Sequence, residues 1–329
     1  MFPRHAPNGM SILARLIPDR FILILIAAMA LASVAPVGGA AADTASLISS
    51  AAVFIVFLLH GIRLPRAEVM RGLADWRVQG GVLLFVFGAM ALAGLGLARL
   101  LDGWLPPLVA LGFLYCGVLP TTVQSATTYT NMAGGNVATS VVGSAIGNLA
   151  GIAATPILFA LLAGREGTPP LSGDLGVRIA LILLLPFLIG QMLQRWVRPW
   201  VLAHPALVKS IDQGAIAIAV YAAFSAAVIA GIWSQLSPAD LALIGGGVAA
   251  MLAAGFGGAW WLGGRLTRDK GTQSAILFLG SHKSVAVGAP LAALLFPPQA
   301  AGMILLPILL YHLAQLILSA WIAPVLARR

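Results

Sequence analysis

The chain has 329 residues, of which 60% are hydrophobic and only 9% charged, and its formal net charge is +9. A soluble domain carries roughly 25% charged residues and a spanning helix needs about 20 mostly apolar ones, so the composition excludes a soluble globule and defines an all-α polytopic membrane protein. The apolar runs are continuous rather than alternating, which excludes a β-barrel. The basic charges sit in the loops between those runs, so they call for no nucleic acid partner.

Ten apolar segments follow one another: Arg20–Val37, Thr44–Gly61, Val78–Leu100, Leu105–Met132, Val137–Leu162, Val177–Gln194, Ile211–Ile232, Leu241–Leu262, Thr272–Phe296 and Gly302–Val325. The first could be mistaken for a secretory signal, since Arg15 and Arg20 precede Phe21–Ala32 and small residues follow at Gly38–Ala42. Its apolar stretch runs on to Val37, long enough to span. The charges test this map. With both termini cytoplasmic, fifteen of the nineteen Lys and Arg fall on the inner side. Only Arg99, Arg165 and Arg178 fall outside, and Lys283 lies within the membrane. That bias is the positive-inside pattern and fits a bacterial inner membrane.

Ten spans divide into five plus five at the Gly164–Gly176 loop, giving repeats over residues 12–163 and 174–327. An odd number of spans per repeat inverts the second relative to the first, as in inverted-repeat transporters. Thr155-Pro156-Ile157-Leu158 closes the fifth segment and Ala323-Pro324-Val325-Leu326 the tenth, and the polar fourth and ninth segments occupy matching places.

Pro120 in the fourth segment removes a backbone donor and predicts a break. After it come Thr121, Thr122, Gln124, Ser125, Thr127, Thr128, Thr130 and Asn131. Backbone freed at membrane depth is tolerated only where it is buried in protein or lines a cavity, so this polar run reads as a binding segment. On the fifth segment Ser140, Ser144 and Asn148 share one helical stripe beside Gly143, Gly147 and Gly151. The glycines fit close helix packing, and the polar stripe fits either packing or a set of oxygens facing the fourth segment.

The ninth segment carries Ser281-His282-Lys283-Ser284. A charge at the bilayer centre costs roughly 2.5–3.5 kcal/mol on insertion scales and marks a substrate or ion path. Lys283 is about a dozen residues from either end of its apolar stretch, too deep to snorkel. His60 and His312 read as helix-end or core histidines, and Gln191 and Gln315 as weaker polar candidates. All ten carboxylates fall in loops or at segment ends. No acid at mid-membrane depth neutralises Lys283, so an anion suits this interior better than a bare cation. Nucleotide-binding, serine-hydrolase and zinc-protease motifs are absent from the sequence. That argues against an enzyme or an ATP-driven pump, and no cofactor is expected.

Pro120–Tyr129, Gly135–Val141 and Gly280–Ser284 together resemble the bile acid:sodium symporter family, in its bile-acid-symporter-like branch. The resemblance covers nearly the whole chain, and Ser-His-Lys-Ser is its most specific part. It implies ten helices in two inverted five-helix repeats. Helices 1, 2, 6 and 7 form a panel, helices 3–5 and 8–10 a core, and broken helices 4 and 9 cross. It also implies that Ser125, Ser140 and Ser144 stand where sodium-coupled relatives have hydroxyl ligands, while Ala126 stands near an asparagine ligand. His282-Lys283-Ser284 replaces an acidic sodium-site stretch, so no confident metal site remains.

The expected function is secondary transport of a small or amphipathic organic anion by alternating access, coupled to H⁺ or to no ion, with Lys283 attracting the anion or standing in for a cation. Two other readings are a sodium-coupled organic anion symporter and a non-transporting membrane regulator of calcium homeostasis, the latter because vertebrate relatives are associated with calcium regulation. The expected partners are the anion and the lipid bilayer, and the sequence specifies no oligomeric state.

Overall fold

A computed structural model describes residues 20–63, 75–164 and 184–329. Helices make up nearly all of it, and the described residues contain no strand beyond one isolated bridge between Asp102 and Leu105. In chain order they are α1 (Arg20–Val34), α2 (Ala40–Arg63), α3 (Trp76–Leu100), α4 (Pro107–Val118), α5 (Val123–Met132) and α6 (Val137–Ala163). There follow α7 (Leu185–Ala203), α8 (Pro205–Ile229), α9 (Pro238–Leu266), α10 (Lys270–Ser281), α11 (Val285–Leu295) and α12 (Pro298–Leu326). A single turn, Ile232–Gln235, lies between α8 and α9.

Local chemistry sets many of the boundaries. Proline stands in the first turn of α4, α7, α8, α9 and α12, where its missing N–H costs nothing. Asn136 caps α6 by accepting from Thr139 N at 3.1 Å, and Asp269 caps α10 by accepting from Thr272 N at 2.8 Å. Ser237 and Asp240 form a reciprocal capping box at α9. Within α3 the residues Phe85–Ala89 form a π turn, in which Met90 N–H reaches back five residues to Phe85 O.

Among the described residues seven helices are long and apolar enough to cross a membrane, or eight when the bent pair α4–α5 counts as one span. The expected first span is shorter, with Leu23–Val34 as its apolar part, ending ahead of Pro36. The start of the expected sixth span and all but the first residue of the Gly164–Gly176 loop lie outside the described residues. All eight tryptophans are exposed, and most stand near helix ends, the pattern of side chains anchored at membrane–water interfaces.

Packing falls into two groups. α1, α2, α7 and α8 pack on one another, joined by close backbone approach at Gly61 and Gly190, where a Cβ would meet the facing chain at 2.2 and 2.3 Å. A small apolar cluster of Leu59, Ile62, Val201 and Val208 belongs to this group alone. α3–α6 and α9–α12 interlock around α10–α11, and the two groups are joined by α8, which packs on α12 as extensively as on α1 and α2, and by contacts of α2 and α8 with α11. The most apolar window of α10–α11 is 94% buried, against 33–44% for α2, α3, α6, α8 and α9, so this broken segment is the central one of the molecule.

Candidate functional site: a helix crossing beside a cationic cavity

Pro120 has no backbone N–H to continue α4, and it disfavours helical backbone at the residue before it. Leu119 accordingly turns extended, with φ −72° and ψ 148°, and α5 leaves at 60° to α4. The second break contains no proline. His282 and Ser284 are extended (ψ 137° and 105°), and Ser284 caps α11 by accepting from Val287 N at 3.2 Å. The two extended stretches cross and bond each other: Ser284 N donates to Pro120 O at 3.0 Å, and Thr122 Oγ1 donates to Lys283 O at 2.9 Å.

Every carbonyl from Cys116 to Thr121 has a partner. Cys116 O accepts from Leu119 N at 3.4 Å, Val118 O from Thr155 Oγ1 at 2.8 Å, and Thr121 O from Asn148 Nδ2 at 3.0 Å. Pro120 O is taken by Ser284 N. The remaining two, Gly117 O and Leu119 O, accept from Lys283 Nζ at 2.7 and 2.8 Å. Val86 O, inside the π turn of α3, accepts from the same ammonium at 3.0 Å. An ammonium has three donors and no acceptor, so the side chain of Lys283, 0% exposed, is fully satisfied.

α12 plays for the second break the part that α6 plays for the first. Tyr311 OH donates to Ser281 O at 2.6 Å, Gln315 Oε1 accepts from Lys283 N at 2.8 Å, and Gln315 Nε2 lies 3.1 Å from Lys283 O. His282 is held between Ser125 Oγ on Nδ1 (2.9 Å) and Ser319 Oγ on Nε2 (2.8 Å).

Against this crossing lies a cavity of about 580 Å³. On the crossing side it meets Thr122, Gln124, Ser125, Asn148 and Ser284, and across from them apolar walls that include Phe21, Phe57 and Phe187. It extends to the end of α2 and the α7–α8 turn, where Arg63, Arg198, Lys209 and Asp212 line it. Arg63 Nη1 pairs with Asp212 Oδ2 at 2.6 Å, with side chains 33% and 17% exposed. Asp212 Oδ1 and Arg198 Nε are buried without a hydrogen-bond partner among the described residues. Among the described residues three cations stand against one carboxylate in this lining, and the rest of it is largely apolar.

The residues singled out from sequence divide between these two places. Thr122, Gln124, Ser125, Asn148 and Ser284 reach the cavity. Ser281, His282 and Lys283 are buried in the crossing and do not line it. Direct attraction of an anion by Lys283 is therefore not what this conformation shows; its ammonium is spent on carbonyls. The hydroxyl of Thr121 is buried without a partner among the described residues. The Ser140 and Thr127 hydroxyls lie 3.4 Å apart, Ser144 Oγ donates to Ser140 O, and Asn148 reaches Thr121 O, so the polar stripe of α6 faces the broken segment. Thr128 and Asn131 are exposed and line no part of the cavity. Each of the hydroxyls matched to sodium ligands, on Ser125, Ser140 and Ser144, is engaged by a protein group.

Sequence reasoning passed over the cavity's charged residues. Arg63, Arg198 and Lys209 entered the reading only as topology charges, and Asp212 as a loop-proximal acid. α8 begins at Pro205, ahead of the apolar segment, and this extra turn and a half places Lys209 beside Asp212 in the cavity lining. His60 and His312, read as helix-end or core residues, also line it. The role of Val86 had no signal in its own side chain, because the group used is a carbonyl exposed by the π turn.

Long apolar helices, exposed tryptophans near helix ends and two broken helices crossing at a buried polar centre define a multi-pass membrane protein. Residues 19–328 match the SBF-like CPA transporter family, and the chain belongs to it. An uncharacterized protein of Pseudomonas aeruginosa is 38% identical over 317 residues, covering 96% of this chain and 95% of its own. The protein named "Putative symporter YfeH" of Escherichia coli is 36% identical over 315 residues, 94% and 92% of the two chains. Sodium/bile acid cotransporter 7 of Mus musculus is 24% identical over 327 residues, 96% and 94% of the two chains.

Proposed function

We propose that the protein is a secondary active transporter of a small or amphipathic organic anion. The observation that carries this reading is the cavity itself, with apolar walls, an excess of cationic side chains and one face made by the helix crossing. The anionic group is met by Arg63 and Arg198, and the apolar body lies against Phe21, Phe57 and Phe187. Transport is by alternating access. α1, α2, α7 and α8 act as the panel, α3–α6 and α9–α12 as the core, and the cavity between them is exposed to each side in turn. The apolar cluster confined to α2, α7 and α8 supports the division.

The same reading gives ten spans in two inverted repeats, residues 12–163 and 174–327, in the bacterial inner membrane with both termini cytoplasmic. It is supported by the matched breaks of α4–α5 and α10–α11, and by Pro156 and Pro324 near the ends of α6 and α12. The cavity then opens toward the cytoplasm, because Arg63, Arg198 and Lys209 mark the positive-inside face.

Sodium coupling of the ordinary kind does not fit the crossing. Among the described residues no carboxylate bonds to the crossing, and Lys283 supplies a fixed cation at its centre. Coupling to protons, or uniport, remains compatible with it. The second reading, sodium-coupled symport, is favoured by the names of the vertebrate relatives, which are sodium/bile acid cotransporters. Uptake of a panel of labelled organic anions into proteoliposomes, with Na⁺ or choline outside and with or without a pH gradient, separates them. Saturable uptake that persists in choline supports the proposal, and uptake that strictly requires Na⁺ selects the second reading. Absence of saturable uptake for every anion at either pH would return the protein to the regulator class.

A further inference from the structure

The ammonium of Lys283 is held by main-chain carbonyls alone. Gly117 O and Leu119 O come from the last turn of α4 and the extended residue after it, where carbonyls have lost their helical partners and carry the negative end of the helix dipole. Val86 O comes from the opposite direction, out of the π turn Phe85–Ala89. A π turn is a costly local departure from the α-helix and recurs where a helix serves a site. Here it sits at the carbonyl the ammonium uses.

No carboxylate, histidine or hydroxyl contacts Nζ among the described hydrogen bonds. Three converging carbonyl oxygens, two of them at a helix C-terminus, are the ligand set that binds a dehydrated monovalent cation; rings of backbone carbonyls do so in ion-selective pores. The lysine enters from α11's side of the break, and its own main chain is clamped by Thr122, Gln315 and Ser284's bond to Pro120. Stem and anchor are therefore both fixed.

We propose that Val86 O, Gly117 O and Leu119 O form a monovalent-cation seat, of which Lys283 is the permanent, covalently attached occupant. The seat joins α3, α4 and the α10–α11 break into one unit, so the crossing is held in its cation-loaded geometry without a diffusible ion. This deepens the proposal that Lys283 replaces a coupling cation, and rests on it only for its consequence in transport. The seat itself is tested without any substrate.

The experiment is chemical rescue of purified Lys283→Ala protein, read by thermal unfolding in detergent. Alanine keeps Cβ, so n-propylammonium restores the missing atoms of the side chain. Na⁺ and K⁺ probe the seat as bare ions, and tetramethylammonium, which has no N–H and is too large, is the ionic-strength control. The expected result is a variant with a melting temperature several degrees below the wild type. It rises saturably with n-propylammonium, Na⁺ or K⁺ and not with tetramethylammonium, while the wild type responds to none of them. Lys283→Ser, whose hydroxyl tolerates the vacated space, is the second variant and gives the same pattern. If either variant is recovered folded only when one of those three cations is present, the proposal is equally supported. It is overturned if a folded variant shows no cation-specific rise, if the wild type rises equally, or if neither variant folds in any of the three. An unresponsive seat alongside saturable anion uptake by the wild type would remove this inference and leave the transporter reading standing.

Discussion

The crossing and the cavity are adjacent, yet they solve opposite problems. At the crossing a run of backbone carbonyls and one ammonium are removed from water, and each finds a partner at 2.7–3.4 Å, down to the three donors of Lys283. In the cavity, polar atoms are left over: Asp212 Oδ1 and Arg198 Nε are buried without a partner among the described residues. A buried polar group without a hydrogen bond costs about 1–3 kcal/mol. The backbone of the crossing is satisfied and the Thr121 hydroxyl beside it is the exception; we read the crossing as framework and the cavity as the place prepared for a ligand. On this reading Ser281, His282 and Lys283 belong to the framework, while Thr122, Gln124, Ser125, Asn148 and Ser284 face the cavity together with charges from the segment ends.

Substitutions that unbalance the crossing should be the most damaging. Lys283→Met keeps the stem but orphans three carbonyls, and we expect a loss of about 2–5 kcal/mol in stability, read as a lowered melting temperature. A near-neutral effect would show that the carbonyls find other partners, and the contrast between the two regions would collapse. The cavity charges should behave the other way. Arg198→Ala should raise the KM for anion uptake about tenfold or more, since a charge-assisted hydrogen bond is worth about 1.5–3 kcal/mol, while melting stays close to wild type; Arg63→Ala should raise KM similarly but also lower melting, because it leaves the Asp212 carboxylate without its ion-pair partner. An unchanged KM in both variants would move these arginines from the binding surface to the framework.

Smaller effects sharpen the boundary. Asn148→Ala removes donors to Thr121 O and Ser144 O, and should cost about 1 kcal/mol in melting stability. Asn148 also lines the cavity, so it is the one residue of the α6 stripe for which a modest change in uptake should accompany the stability loss. The smallest expected effect lies outside the membrane. Hydrogen bonds from the Thr272 side chain and amide hold the Asp269 carboxyl below the ordinary aspartate range. Its capping contribution is full above an unfolded value of about 3.9 and is lost as pH falls through the lower folded value. The difference in melting temperature between wild type and Asp269→Asn should therefore shrink below about pH 4.

How far the sequence reached follows from what kind of signal each part carries. Continuous apolar runs and loop charges gave the helical membrane class, and Pro120 marked the first break because its chemistry is local. Ser281–Ser284 marked the second break by polarity alone. Lys283 was visible as an expensive charge, but its partners were not: carbonyl groups of Val86, Gly117 and Leu119 are identical in every residue, and only folding brings them together. For the same reason the sequence left open whether the mid-membrane lysine attracts an anion or stands in for a cation, and could not show that its ammonium is bonded to carbonyls. Arg63, Arg198, Lys209 and Asp212 were legible as residues and illegible as a site. They lie at segment ends that adjoin in space through α2, α7 and α8, and end charges look alike whether they face water or a cavity.

The most direct test of the account is initial-rate uptake of a transported organic anion into proteoliposomes in which external Na⁺ is replaced by choline at fixed pH. The account predicts a saturable rate that is unchanged, because the cation at the crossing is Lys283 itself. A wild-type rate that falls to background without Na⁺ and returns in proportion to it would contradict the account.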